Sequence, residues 1–456
     1  MLLAVCTFIM VTTPLRSLVL LLSLAPASLL GCATDEDVVE DLGDVDGSGK
    51  GDGATSTDPT RLVDVPFYFA VPKTTVTAPI DRARYPYPTL WNGSLQSADL
   101  GLRVIAIQQG AGVSAKQAAR RDMAARLGRA GVLQDGDIVL TFRPELAGTM
   151  AYPHIQMGTT HAGLVYTQNG VAFNIDSPLD GQYVGQFDTA HYAGDGAQDA
   201  GTDALHIVRP RITDARRVQL RDWVGTLKRN LARINGARQQ VKFQSDYLIP
   251  SYVASGMTTR QTVTLLGRII LEADTTTKLP MYCSEFAWHM LALSNCTATE
   301  IRNAPAGGAA CVDEVFAPMP LVAKDATELG MAEGPLLALM KLPAASRAVQ
   351  VPKIFATGDA AKLSSGHRAV SDQVAPLMAP LQELYQARAG GAPLEATADV
   401  AAALSANMPN NYSPTTFLVQ AMSESPTRPM DYVATLAFVN AAGYQKAQRL
   451  AQQPVP

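Results

Sequence analysis

The sequence predicts an α+β protein, and three observations carry that reading. An Asn169-Gly170 pair stands between two apolar runs, the strongest short-range signal for a hairpin. Three stretches, 114–130, 214–234 and 283–294, carry helix-like apolar spacing or helix start and stop residues. The chain of 456 residues is 47% apolar and only 17% charged, enough to build a core and inconsistent with a disordered chain. At about 150 residues per domain, the length allows two or three domains.

The N-terminus reads as an address. Arg16 precedes an apolar run, Leu18 to Leu30, which has the length of a secretory h-region and is shorter than the roughly 20 residues of a membrane span. It ends in Leu29-Leu30-Gly31-Cys32, which resembles the lipobox of bacterial lipoproteins. That resemblance implies cleavage before Cys32 (residues 1–31 as signal), acylation of Cys32, and anchoring in a lipid bilayer by more than one chain. Ala33 after the cysteine implies the outer membrane of a bacterial cell envelope. Residues 32–60 read as a tether. From Ala33 to Thr60 there are nine acids and one base and almost no large apolar side chain, so this stretch cannot fold on its own.

The acidity is therefore local. The net charge of −4 contains −8 from this tether, and the remaining 396 residues after it sum to about +3. With 37 Lys+Arg against 41 Asp+Glu, no basic surface calls for nucleic acid as a partner.

The mature chain follows in order. Residues 61–110 alternate short apolar runs, among them 102–107, with turn residues, and read as strands. Ser114 to Ala130 reads as a helix with Ser114 as N-cap and Gly131 as terminator. Gly136-Asp137-Ile138-Val139 opens a strand that runs to Phe142. His161 to Asp176 reads as the hairpin, and Leu205 to Pro210 as a further strand. Asp214 to Ile234, Gln261 to Asp274 and Cys283 to Ser294 read as helices. We place the first domain at 61–320 (core 130–300). The Ala-rich remainder, 321–456, reads as a helical C-terminal region, with helices near 377–390 and 429–452 and no catalytic signature.

Cysteine use fits export. Cys6 goes with the leader and Cys32 with the lipid. Cys296 and Cys311 bracket an Ala/Gly-rich loop and form a candidate disulfide, which leaves Cys283 as the free thiol.

The hairpin carries the sharpest chemical inference. With Asn169-Gly170 as a two-residue loop, Gly163 faces Asp176 and Val165 faces Asn174. With a four-residue loop, His161 faces Asp176 directly. In either register His161, Asn174 and Asp176 share one face, because strand side chains alternate. A carboxylate beside an imidazole fixes its tautomer and stabilises the imidazolium. Read alone, the hairpin fits a structural His–Asp pair or a solvated strand face better than a catalytic site.

The second half of the constellation is Tyr282-Cys283-Ser284-Glu285-Phe286, at the start of a helix with an apolar stripe at 286, 287, 290 and 291. A helix N-terminus favours a thiolate, and its N–H groups suit an oxyanion. A buried packing cysteine fits the same residues. His289 reads as a surface residue of the same helix, and Trp223 and Trp288 as packing residues. His154 and His161 lack a third ligand at metal spacing. No metal and no cofactor is called for.

Together, Gly136-Asp137-Ile138-Val139, Thr160-His161-Ala162-Gly163-Leu164-Val165 and Tyr282-Cys283-Ser284-Glu285-Phe286 resemble the YiiX/YebB-like proteins, circularly permuted members of the NlpC papain-like superfamily related to lecithin:retinol acyltransferase. The histidine strand precedes the cysteine helix here, as in that family. The resemblance covers roughly 130–300. It implies a permuted papain-like fold, with an antiparallel sheet packed on the cysteine-bearing helix. It also implies a thiol hydrolase with Cys283 as nucleophile, His161 as base and Asp176 as orienting residue, where the family commonly has Glu. Asn174 is the alternative orienting residue. The implied substrate is a cell-wall peptide amide. The alternatives are lipid acyl transfer or hydrolysis, and a non-catalytic binding lipoprotein of the same fold. Catalysis requires the Cys283 sulfur within about 4 Å of a His161 nitrogen.

Overall fold

In a computed structural model that describes residues 85–90, 103–142, 159–176, 184–194, 204–244, 249–319, 410–423 and 425–452, the described residues fold around one eight-stranded sheet. The leader, Cys32, the tether, His154 and the 377–390 helix expected from sequence lie outside the described residues.

The strands are β1 (Thr89–Leu90), β2 (Val104–Gln108), β3 (Ile138–Phe142), β4 (Thr159–Gln168), β5 (Val171–Ile175), β6 (Val184–Gly185), β7 (Ala204–Pro210) and β8 (Met430–Val439). Their spatial order is β1-β2-β8-β7-β3-β4-β5-β6. All pairings are antiparallel except β2 with β8, which makes the sheet mixed rather than purely antiparallel.

The helices are α1 (Val113–Arg129), α2 (Ala190–Ala193), α3 (Asp214–Leu231, continued by a π-helical segment Ala232–Ala237), α4 (Ser251–Ala254), α5 (Thr259–Ile270), α6 (Cys283–Leu293), α7 (Ala298–Arg302), α8 (Pro414–Met422) and α9 (Ala441–Ala451). Among the described residues, no helix is long and apolar enough to cross a membrane.

The β4–β5 hairpin shows how the sequence sets the register. Asn169 (φ 52) and Gly170 (φ 72) both take the left-handed conformation, the signature of a two-residue type I′ turn. Leu164 then pairs with Ile175 and Val165 with Asn174. This is the two-residue register, with Gly163 opposite the end of β5.

Alternation along the strands builds two apolar layers. Ala162, Leu164, Ile138 and Leu140 face one layer, filled by α3, α5, α6 and α8. Val139, Val165, Leu205 and Ile207 face the other, filled by α1 and by Phe187 and Tyr192 of the segment around α2. With both faces covered, strand residues read as continuous apolar runs.

Three local expectations are corrected. The N-cap of α1 is Gly112 (φ 84), not Ser114. A positive φ at the point of entry suits glycine, and Ser114 falls inside the first turn. The C-terminal region is not simply helical. Residues 430–439 form β8, with nine of ten residues buried, and only 441–451 form a helix. Finally, α6 carries no solvent-facing stripe. All eleven of its residues are buried, because β4, α3 and α5 pack around it.

Candidate functional site: a buried histidine–aspartate pair

Asp176 leaves β5 at the position opposite Gly163. A Cβ at 163 would sit 2.5 Å from Asp176 Oδ1 and 2.6 Å from the Tyr192 hydroxyl, far inside van der Waals contact. The missing side chain is therefore what lets the carboxylate turn along the sheet toward His161, two residues back on β4. His161 Nε2 meets Asp176 Oδ1 at 3.0 Å. Both residues are buried, His161 at 4% and Asp176 at 8% exposure. With the carboxylate accepting, Nε2 carries the proton, and any exchange with a reacting group passes through Nδ1.

Two further side chains hold the carboxylate. Asn174 Nδ2 donates to Asp176 Oδ2 at 2.9 Å, while its own Oδ1 accepts from the Phe187 N–H at 2.8 Å. Asn174 therefore supports Asp176 and does not stand in for it beside His161. The Tyr192 hydroxyl donates to Asp176 Oδ1 at 2.9 Å, sharing that oxygen with His161. Burial and the neighbouring carboxylate hold the Tyr192 phenol well above its ordinary range, so it stays a donor. The His191 ring lies over His161 with centroids 4.1 Å apart.

Sequence reasoning missed Tyr192 and His191. They enter on α2, a single turn in a segment with no periodic pattern, and only its Asp188-Thr189 start signals a turn. The segment is pinned from α1: Arg120 Nε donates to the Tyr192 carbonyl at 3.2 Å, Gln117 Nε2 to the Asp188 carbonyl at 3.0 Å, and Arg121 pairs with the Asp188 carboxylate at 3.0 Å.

Cys283 is the first residue of α6 and is buried. Tyr282 beside it donates to Asn411 Oδ1, and Thr415, four residues on, bonds Thr159 at the start of β4 through their hydroxyls at 2.8 Å. These contacts set the head of α6 near the end of the sheet where His161 lies. The two residues approach that end from different faces, however. Ala162 and Leu164 pack toward the layer of α6, whereas His161 points to the layer of α2. Among the described residues no hydrogen bond joins Cys283 to His161.

Cys296 and Cys311 are joined to each other, with Cα atoms 5.2 Å apart.

The acids of the two sequence motifs hold the scaffold. Asp137, fully buried, accepts from Arg209 Nε and Nη2 at 2.7 and 2.8 Å and from the Gln134 N–H at 2.9 Å, tying β3 to β7. Glu285, also fully buried, accepts from the Ser251 N–H and hydroxyl at 2.7 and 2.6 Å; burial pushes its carboxyl up to about 8. His289 is not at the surface. Its ring bonds the Glu285 carbonyl and the Thr262 hydroxyl, and burial lowers it to about 4. The period of the helix suggests an outer face, but α5 covers it. Trp223 and Trp288 are buried and donate to the Cys296 and Phe316 carbonyls.

No family model, no curated protein and no solved structure matches this chain.

Proposed function

We propose that the chain is a cysteine-dependent hydrolase of permuted papain-like fold, carried on a lipoprotein anchor at Cys32 in the bacterial cell envelope. The observation that carries the reading is the buried His161–Asp176 pair, with Asp176 held by two further donors, on the strand against which the Cys283 helix packs. Three polar side chains converging on one buried carboxylate fix a single imidazole orientation, which a general base needs.

In this reading, Cys283 Sγ gives its proton to His161 Nδ1 and attacks the substrate carbonyl carbon. The imidazolium then returns the proton to the leaving amine as the C–N bond breaks. Water, deprotonated by the same nitrogen, cleaves the thioester and restores the thiol. His161 and Cys283 come to the end of β4 from different faces, so this mechanism requires the two side chains to meet around that end.

The substrate class proposed is an amide of a cell-wall peptide. The test is release of new amino groups from peptidoglycan fragments under reducing conditions, by the wild type, Cys283→Ala and His161→Ala. The wild type is expected to cleave, and each variant to lose at least about a hundredfold. Equal rates in the wild type and Cys283→Ala overturn the mechanism. Acyl release from phospholipid with no peptide cleavage moves the reading to a lipid acyl hydrolase.

A further inference from the structure

Tyr192 has no place in a cysteine–histidine–carboxylate scheme, yet it is built into the pair more firmly than its one-turn helix requires. It is fully buried, its hydroxyl reaches Asp176 Oδ1 at 2.9 Å, and its carbonyl is held by Arg120, itself buried beneath the Phe438 ring. Gly163 leaves the space that both the hydroxyl and the carboxylate occupy.

We propose that Tyr192 is a positioning residue that sets the basicity of His161 by sharing its acceptor. Oδ1 takes one proton from Nε2 and one from the phenol. A second donor spreads the negative charge and weakens the hold of Asp176 on the imidazolium. It also anchors the carboxylate along the sheet, so the imidazole ring keeps one orientation. Other groups near His161 are His191 over its ring, on α2, and Asn174 behind Asp176, on β5; Cys283 lies at the head of α6, packed on β4.

The inference extends the base assignment above, but its test does not depend on turnover. The imidazole nitrogens of His161 are followed by NMR across pH in the full-length protein labelled with ¹⁵N-histidine. In the wild type the Tyr192 hydroxyl proton is protected from exchange and shifts as His161 titrates. This needs no variant, and an exchanging hydroxyl proton overturns the proposal. In Tyr192→Phe the His161 midpoint is expected to rise by about half a unit or more. In the Asp176→Asn background, Tyr192→Phe is expected to leave the midpoint in place. An unmoved midpoint in Tyr192→Phe, or an equal shift in both backgrounds, overturns the proposal, because a merely structural tyrosine acts independently of Asp176. A chain that cleaves nothing but shows these shifts refutes the hydrolase reading alone.

Discussion

Replacing Glu285 by Gln removes a pH-dependent cost built into the head of α6. Glu285 is fully buried and accepts two hydrogen bonds from Ser251. Burial outweighs those bonds and pushes its carboxyl up to about 8, from 4.5 in the unfolded chain. Between these values the folded protein keeps a proton that the unfolded chain has released, so stability falls as pH rises through that window. At about 1.4 kcal/mol per unit, the loss by pH 8 is on the order of 4–5 kcal/mol. Gln does not titrate and still offers an amide oxygen to Ser251. Buried neutral His289 and His206 act with the opposite sign. Burial lowers them to about 4 and about 3 from 6.5, so the unfolded chain binds the extra protons below pH 6.5 and stability is lost as pH falls. For these three groups the wild type is most stable near pH 6.5, and Glu285→Gln holds a plateau above it. Guanidinium unfolding at half-unit intervals from pH 5 to 8 measures the difference, with the m-value checking that the unfolded state is unchanged. Wild-type and variant profiles that run parallel above pH 6.5 refute the assignment of the cost to Glu285.

Gly163→Ala drives a methyl into Asp176 Oδ1 and the Tyr192 hydroxyl. It is expected to cost about 1–3 kcal/mol and to displace the His161 ¹⁵N signals. An unchanged melting temperature and spectrum speak against the close approach. Replacing Cys296 and Cys311 by Ser opens a loop of 15 residues, with an expected loss of roughly 3 kcal/mol. Chemical denaturation measures it. Full stability in the double variant means that the Trp223 and Asn295 bonds to the Cys296 and Cys311 carbonyls hold the loop.

The part of the site that lies within one hairpin was legible in the sequence. A two-residue Asn-Gly turn dictates its register, and from the register the shared face of His161, Asn174 and Asp176 follows by alternation. What came from elsewhere in the chain was not. Tyr192 lies on a single helical turn whose position depends on side chains of α1. The burial of His289 depends on α5 covering a helix whose own sequence shows two faces. The faces from which His161 and Cys283 reach the end of β4 depend on how α6 crosses the sheet, which no residue spacing encodes.

Strand β8 makes the same point for the fold, and ties it to the site. Met430 to Val439 has no helical stripe and no clean alternation, because both faces of the strand are covered. Such a run is indistinguishable by period from a buried helix. In the structure it lies between β2 and β7, pairing parallel with one and antiparallel with the other. Without it, β7 becomes a sheet edge with a row of unpaired backbone groups. β7 is also the strand that supports β3, and β3 in turn holds β4 with His161. A boundary at residue 320 therefore passes through one sheet. The catalytic reading of the hairpin depends on a strand about 270 positions further along the chain than His161.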